Sequence, residues 1–360
     1  LYVLPAMVGD KADPAMIQTH LGTVSDTRHR FKGGRDFPPA DNPALPRAAN
    51  AVWPLAAVAF HLGTVGHEPV QRRILLGYDD LWSVEYFGKW LRPWWNRSGT
   101  VRFENVMAEA LAQADEVLER CRTFDREMLQ EALEIGGKQY ADLCILAYRQ
   151  SIAAHKLVVN TDGAPLFISK ENASNGSMGT VDVTHPSVPL YLHYNTELVK
   201  GLLEFIFEYC ELYGWDKPWA PHDIGKYPIG NGQAYGRDME YEESGNMILM
   251  TYALVLKEGN AAYAEKHWET LTAWAAYLKE KGWDPDNQLS TDDFGGRIDH
   301  NCNLSIKATL SLASYAKMAG MLGKTDLEEE YRETAVEWKN IFEKKALDKD
   351  HYKLRFDQPG

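Results

Sequence analysis

Three segments rich in acids, amides and aromatics carry the side chains that could do chemistry. They are residues 169–195 (SKENASNGSMGTVDVTHPSVPLYLHYN), 218–245 (PWAPHDIGKYPIGNGQAYGRDMEYEESG) and 284–303 (DPDNQLSTDDFGGRIDHNCN). In the first, Lys170, Glu171, Asn172, Asn175, Thr180 and Asp182 crowd together. Thr-Val-Asp-Val alternates like a strand, which would project Thr180 and Asp182 to one face. Asp182 is a candidate acid, base or metal ligand; its structural alternative is a cap for a helix near Pro186 or a clamp on loop amides. The second segment offers Asp223 beside His222, then Asn231, Gln233 and Tyr235, then Glu242 and Glu243. Asp223 is either a general acid or base, or a loop clamp. A first-turn acid gains about 0.3–1 kcal/mol from the helix dipole alone, so Glu243 has a structural explanation too. Two adjacent acids opening an otherwise apolar helix argue for a wet cavity instead. In the third segment the adjacent Asp292 and Asp293 must point opposite ways in an extended chain, Asp293 into a pocket and its neighbour toward Arg297, unless the whole is a charged turn.

The expected catalytic set is therefore Asp182, Asp223, Glu243 and Asp293, with Lys170, Glu171, Asn231, Gln233, Tyr235 and Arg297 orienting substrate. Such groups suit hydrolysis of a polar, uncharged small molecule by activated water. The strand-GxSxG elbow of serine hydrolases is missing, as are phosphate-binding and dinucleotide fingerprints, so no cofactor is expected. Carboxylates could hold calcium, but without EF-hand spacing, and metal dependence stays open.

These segments separate helices of two kinds. Residues 101–125, 260–282 and 325–347 have one apolar stripe and a charged opposite face, as surface helices do. Residues 140–158, 243–259 and 303–323 carry few charges and are apolar or small on nearly every side, which implies burial. Alternation of the two kinds implies two concentric helical layers, an (α/α)6-toroid-like domain, with the long segments gathered where inner-helix N-termini point. The start of the chain differs: Pro and Gly recur, and AVWPLAAVAFHLG (51–63) sits between turn formers. The fold class is mainly α, with residues 1–70 as the end of a β-rich domain and 71–360 as the toroid. About eight helices are readable where six hairpins need twelve, roughly another hundred residues, so the toroid is expected to be incomplete at its C-terminus.

Composition narrows the function classes. A formal charge of −13 disfavours nucleic-acid partners, which need clustered Lys and Arg. No apolar run approaches the roughly 20 residues of a membrane span. The four cysteines, Cys121, Cys144, Cys210 and Cys302, lack zinc or redox spacing. Asn96, Asn172, Asn175 and Asn303 begin glycosylation sequons, and with the Trp-rich composition they point weakly outside the cytoplasm. Oligomeric state is not legible.

The pieces YDDLWSVEYFG (78–88), LAYRQSIAAHKLV (146–158), 169–192, HDIGKYPIGNGQAY (222–235), EESGNMILM (242–250) and STDDFGG (290–296) resemble the glutaminase A family of fungi and bacteria. The resemblance covers the chain from about Tyr78 onward. It implies an α/α toroid preceded by a β-rich domain, a secreted or cell-envelope location, and hydrolysis of L-glutamine to L-glutamate and ammonia. It supplies no catalytic set. Glutaminases more often use an activated nucleophile, for which Thr180 with Lys170, or Cys302, are candidates. Paired carboxylates at the loop end of a toroid equally resemble glycosidases. A non-catalytic carbohydrate-binding module is the third reading.

Overall fold

The Pro- and Gly-punctuated start of the chain builds strands, as its composition implies. The computed structural model describes residues 2–7, 17–42, 44, 48, 50, 53–171, 175–290 and 295–359. Two compact units result: Leu1–Asp80 with Thr100–Glu127, and Leu81–Gly99 with Met128–Gly360. The change of composition near residue 70 thus falls about ten residues short of the first unit's limit, and that unit also takes in a later helical stretch.

In the first unit β1 (Tyr2–Met7) and β2 (Ile17–Thr23) precede helix α1 (Val24–Lys32), followed by β3 (Pro54–Phe60) and β4 (Arg72–Gly77). β1 pairs antiparallel with β4, and β2 with β3. The Thr23 hydroxyl accepts the Asp26 N–H and starts α1. The apolar run at 51–63 supplies β3. Helix α2 (Phe103–Ala112) lies against Gly77, where a Cβ would meet Met107 Sδ at 2.5 Å. Helix α3 (Ala114–Ala153) follows and breaks at Gly137, whose φ of 73° no helix interior tolerates.

The second unit is helical. A small sheet holds β5 (Val84–Tyr86) and β6 (Lys89–Leu91), and a hairpin is formed by β7 (His155–Val159) and β8 (Pro165–Ser169). Then come α4 (Val181–Thr184), α5 (Val188–Tyr194), α6 (Thr196–Leu212), a short strand β9 (Ile229–Gly230) parallel to β5, and α7 (Glu240–Glu258). Helices α8 (Ala262–Lys266), α9 (Trp268–Lys281), α10 (Cys302–Met321) and α11 (Thr325–Ala346) follow, and the hairpin β10 (Leu347–Asp348) and β11 (His351–Tyr352) closes the order.

Helix α7 explains the layering. It touches α4, α5, α6, α8, α9 and α10, so almost every face of it is buried up to Val255, and its sequence there has no polar stripe because little of that surface meets water. Gly259, in the left-handed region at φ 70°, ends it. Helix α10 is likewise buried along most of its length, covered by α7, α9 and α11. The short link Leu322–Lys324 makes α10 and α11 neighbours, as short connections do. Helix α6 is buried on a second side by β8; Gly201 allows that approach, since a Cβ there would lie 3.0 Å from the Pro165 carbonyl. Half-buried Glu208 on α6 accepts hydrogen bonds from the Tyr86 hydroxyl and the Asn160 amide, each at 2.7 Å.

Two expectations change. Residues 140–158 are not a buried helix: α3 ends at Ala153 and the Leu-Val-Val that follows pairs as β7. Leu143 is 66% exposed and Leu146 50% exposed; Ala141 is the buried position of the helical part and Val158 that of the strand. The Thr-Val-Asp-Val piece is not strand-like: from Val181 to Tyr194 the chain forms the broken helix α4–α5, with a 3-10 turn between them at His185–Ser187.

A buried charge network ties α6 to α9. His267 stacks on Phe207 at 4.0 Å and lies 3.0 Å from Glu211 and 3.4 Å from Glu204, which also pairs with Lys266. Burial pushes the His267 pKa down, but hydrogen bonds to Glu204 and Glu211 outweigh it and leave it raised. Burial pushes Glu204 up, and His267 with Lys266 outweighs that, leaving it at about 2. A raised histidine stabilises fully below its unfolded pKa of 6.5 and loses this as pH rises through the folded value. A depressed carboxylate stabilises above 4.5 and loses this as pH falls toward about 2. The network therefore contributes most between pH 4.5 and 6.5. Urea unfolding of His267→Phe at pH 6 is expected to show a loss of about 3 kcal/mol, the usual cost of breaking a buried pair. The variant's stability should also fall less steeply above pH 6.5 than that of the unaltered protein.

Candidate functional site

Helices α4 and α7 bring acids together at their amino ends, where α10 adds a lysine. Gln288 accepts the Tyr241 and Glu242 N–H groups at 3.1 and 3.2 Å and so caps α7 from the third segment. Asn301 caps α10 by accepting from Asn303 and Leu304. Lys307 in the second turn of α10 passes over Gly245, where a Cβ would meet its Cγ at 2.8 Å. Lys307 Nζ pairs with Glu242 and donates to Asn246 Oδ1 at 2.8 Å. The Asn246 amide donates to Glu242 at 3.0 Å and to Glu243 Oε2 at 3.3 Å.

The second segment folds around Asp223, which is fully buried. Its Oδ1 accepts N–H groups from Gly225 and Ala234, both at 2.8 Å, and its Oδ2 accepts that of Tyr235 at 3.0 Å. The same Oδ2 lies 2.9 Å from His222 Nδ1. A carboxylate is acceptor-only, so the imidazole carries a proton on Nδ1, and Nε2 is the lone-pair nitrogen of the neutral tautomer this bond selects. Gln233 accepts the His222 N–H at 2.8 Å, and the Tyr235 ring stacks on the imidazole at 4.2 Å. Position, tilt and tautomer of His222 are thereby fixed.

His222 Nε2 lies 3.8 Å from Asp182 Oδ1. One donor atom each of Asp182, His222 and Glu243 lies within 4.8 Å of the others. Glu243 is fully buried and Asp182 only 14% exposed at its side chain. Among the described residues, Asp182 Oδ1 and Glu243 Oε1 have no hydrogen-bond partner. Burial raises the Asp182 pKa to about 6, with Glu242 and Glu171 adding to the rise against the pull of His222 and Lys307. Burial first, then the charges of Asp182 and Glu242, lift Glu243 well above the usual carboxylate range. Burial and the Lys307 charge hold His185 down at about 4, a neutral ring. Groups desolvated and crowded by like charge, against the folded state's interest, are what functional sites contain.

The sequence-derived residues are distributed as follows. Asp182 and Glu243 converge, Asp182 from the first turn of α4 rather than from a strand: Thr180 is the extended residue ahead of that helix. Asp223 is beneath the site, acting through His222. Tyr235 and Gln233 hold that histidine. Glu171 accepts the Thr180 hydroxyl at 2.6 Å and adds negative charge near Asp182. Lys170 sits over the Tyr227 ring at 4.9 Å. Asn231 donates to Glu85 and accepts from Gly88, bridging to the strands. Arg297 binds Asn287 within its own loop. Asp293 lies outside the described residues. Of the nucleophile candidates, Thr180 is buried and bonded to Glu171, and burial raises the Cys302 thiol to about 11, where it stays protonated at neutral pH. His222, Glu242, Asn246, Lys307 and Gln288 complete the constellation. Lys307 had a signal: it is the lone charge in an otherwise uncharged run, NLSIKATLSLAS.

Comparison with known proteins fits this architecture. The Glutaminase A six helical-hairpin domain matches residues 137–360, and a domain of unknown function, DUF5127, matches residues 6–131. Glutaminase A of Aspergillus oryzae is 31% identical over 294 residues, 78% of this chain and 41% of that protein. A protein named "Probable glutaminase" from Arthroderma benhamiae is 26% identical over 298 residues, 66% of this chain and 34% of its own length. The chain thus spans less than half the length of these relatives. Among solved structures, α-L-rhamnosidase from Dictyoglumus thermophilum matches 48% of this chain and 19% of its own, at 16% identity and a TM-score of 0.33.

Opposite stability effects are expected at the two aspartates. Asp223→Asn turns an amide N–H toward backbone donors and should destabilise by about 2–3 kcal/mol. Asp182→Asn removes a crowded charge with an unmatched oxygen and should leave stability unchanged or raise it by up to about 1 kcal/mol. Urea midpoints compare them. Gly225→Ala should cost about 1–3 kcal/mol in the same assay, since Gly225 has φ 138° and a Cβ would collide with the Ile229 carbonyl. The match over residues 137–360, together with the inner and outer helices that those residues build, makes this chain a member of the glutaminase A family.

Proposed function

We propose that this chain carries the site of a glutaminase-like hydrolase that converts L-glutamine to L-glutamate and ammonia. The observation that carries the reading is the convergence of Asp182, His222 and Glu243 within 4.8 Å at the amino ends of the inner helices, in a member of the glutaminase A family. These three groups activate a water molecule for attack on the side-chain amide carbon. One proton of the water passes to the leaving nitrogen so that ammonia departs, and the new carboxylic acid gives its remaining proton to the released ammonia, leaving carboxylate and ammonium. Asp223 is a positioning residue that fixes the His222 tautomer, and Tyr235 and Gln233 support it. Water rather than a side chain is the nucleophile, in keeping with the states of Thr180 and Cys302. The reading places the protein outside the cytoplasm, in line with the exposed sequon at Asn303; retention of the tagged native protein in the cytoplasm would overturn that part.

A retaining glycosidase ranks second. Its two carboxyl groups stand about 5–5.5 Å apart, a spacing compatible with Asp182 and Glu243, which bring one oxygen each within 4.8 Å; it ranks second because the family match is to glutaminase A. Ammonia release from L-glutamine, run beside a panel of aryl glycosides, separates the readings. Asp182→Asn and Glu243→Gln are expected to lower kcat/KM for glutamine by at least about 100-fold. Turnover of a glycoside with no ammonia release would replace the glutaminase reading. Sugar binding without turnover, insensitive to both substitutions, would point to a non-catalytic carbohydrate-binding module.

A further inference from the structure

We propose that Asp182, His222 and Glu243 form a binding site for one divalent cation of the zinc or manganese kind, with Asp223 as the partner that orients the imidazole ligand. The donor atoms lie within 4.8 Å of one another, a spread that two metal–ligand bonds of about 2.0–2.4 Å can bridge. The donor chemistry is one imidazole nitrogen and two carboxylates, which suits a transition cation that takes nitrogen as well as oxygen ligands better than calcium or magnesium, whose sites are built of oxygen alone.

Two further observations point to a ligand. Glu243 is fully buried, and its Oε1 has no hydrogen-bond partner among the described residues; Asp182 Oδ1 is in the same position. Lys307 directs its ammonium to Glu242 and Asn246 rather than to Glu243. A desolvated carboxylate needs a paired charge, and a cation among these three groups supplies it. The second observation is the Asp223–His222 bond of 2.9 Å. Metal-binding histidines typically donate their other ring N–H to a carboxylate in this way, which fixes the tautomer and raises the basicity of the free nitrogen. Asp223 is itself immobilised by the N–H groups of Gly225, Ala234 and Tyr235, so Nε2 is aimed before any ligand arrives. The inference deepens the hydrolase reading, because a cation here lies where the water is activated. Cation binding itself is read without turnover.

The test is calorimetric titration of chelator-stripped protein with Zn²⁺, Mn²⁺ and Ca²⁺. One Zn²⁺ or Mn²⁺ per chain is expected, with Ca²⁺ at least about tenfold weaker. Asp223→Asn should weaken binding about 10–100-fold, and Asp182→Asn and His222→Ala should remove the tight site. Circular dichroism checks each fold; should His222→Ala not fold, Asp182→Asn carries the test. Absence of stoichiometric binding by the folded protein would overturn the inference, as would a preference for Ca²⁺ or tight binding that survives both Asp182→Asn and His222→Ala. Ammonia release is measured on the same samples. Cation binding without ammonia release keeps the site and removes the glutaminase reading. Undiminished ammonia release by stripped protein that binds no cation keeps that reading and removes the site.

Discussion

Two glutamates buried at the amino end of a helix that is itself enclosed set the terms for the rest of this structure. Charges of one sign cannot be packed side by side out of water unless something compensates each of them. The helix dipole favours both. Gln288 caps the backbone N–H of Glu242, and Lys307 neutralises its side chain through a gap left by Gly245. Among the described residues Glu243 receives the Asn246 amide alone, at 3.3 Å, with Asp182 nearby, and its carboxyl stays crowded. The three inner elements α4, α7 and α10 are thereby coupled at one end. Each contributes a charged group that makes sense only in the presence of the other two.

The same end is held rigid by an acid of the opposite character. Asp223 has no charge conflict, since its two oxygens are matched by backbone N–H groups and an imidazole. Its burial orders a loop that, by composition alone, would be mobile. The contrast separates two kinds of carboxylate in one site. One is satisfied and fixes geometry, whereas the others are unsatisfied and available for chemistry. Such a division agrees with the general finding that reactive groups are placed on a well-supported shell. It also explains why the second segment is so long: the chain must return on itself from Gly225 to Tyr235 to bring its amides to one oxygen pair.

Sequence patterning reached the scaffold and part of the site. The apolar-all-round runs at 243–259 and 303–323 marked α7 and α10 as buried, because a helix enclosed by packed neighbours leaves little surface on which polarity is tolerated. Residues 140–158 carried a similar pattern and gave an exposed helix end followed by a strand, because apolar content records what a surface can bury, not what lies against it. Asp182 and Glu243 were identifiable as acids out of place in their surroundings. Asp223 was identifiable as a residue of consequence but not as a positioning one, since that role depends on three amides spread over ten residues of chain.

What the sequence by itself determined is therefore the class of fold, the two helix types and the segments that supply acids, all of which follow from local periodicity and composition. What only the tertiary structure decided is which acids meet. His222 joins Asp182 and Glu243 across gaps of 40 and 21 positions, and Lys307 crosses 65 positions to Glu242. Contacts of that range are fixed by helix packing, by glycines that permit close approach and by buried hydrogen-bond matching, and each of these depends on neighbours that no local window contains.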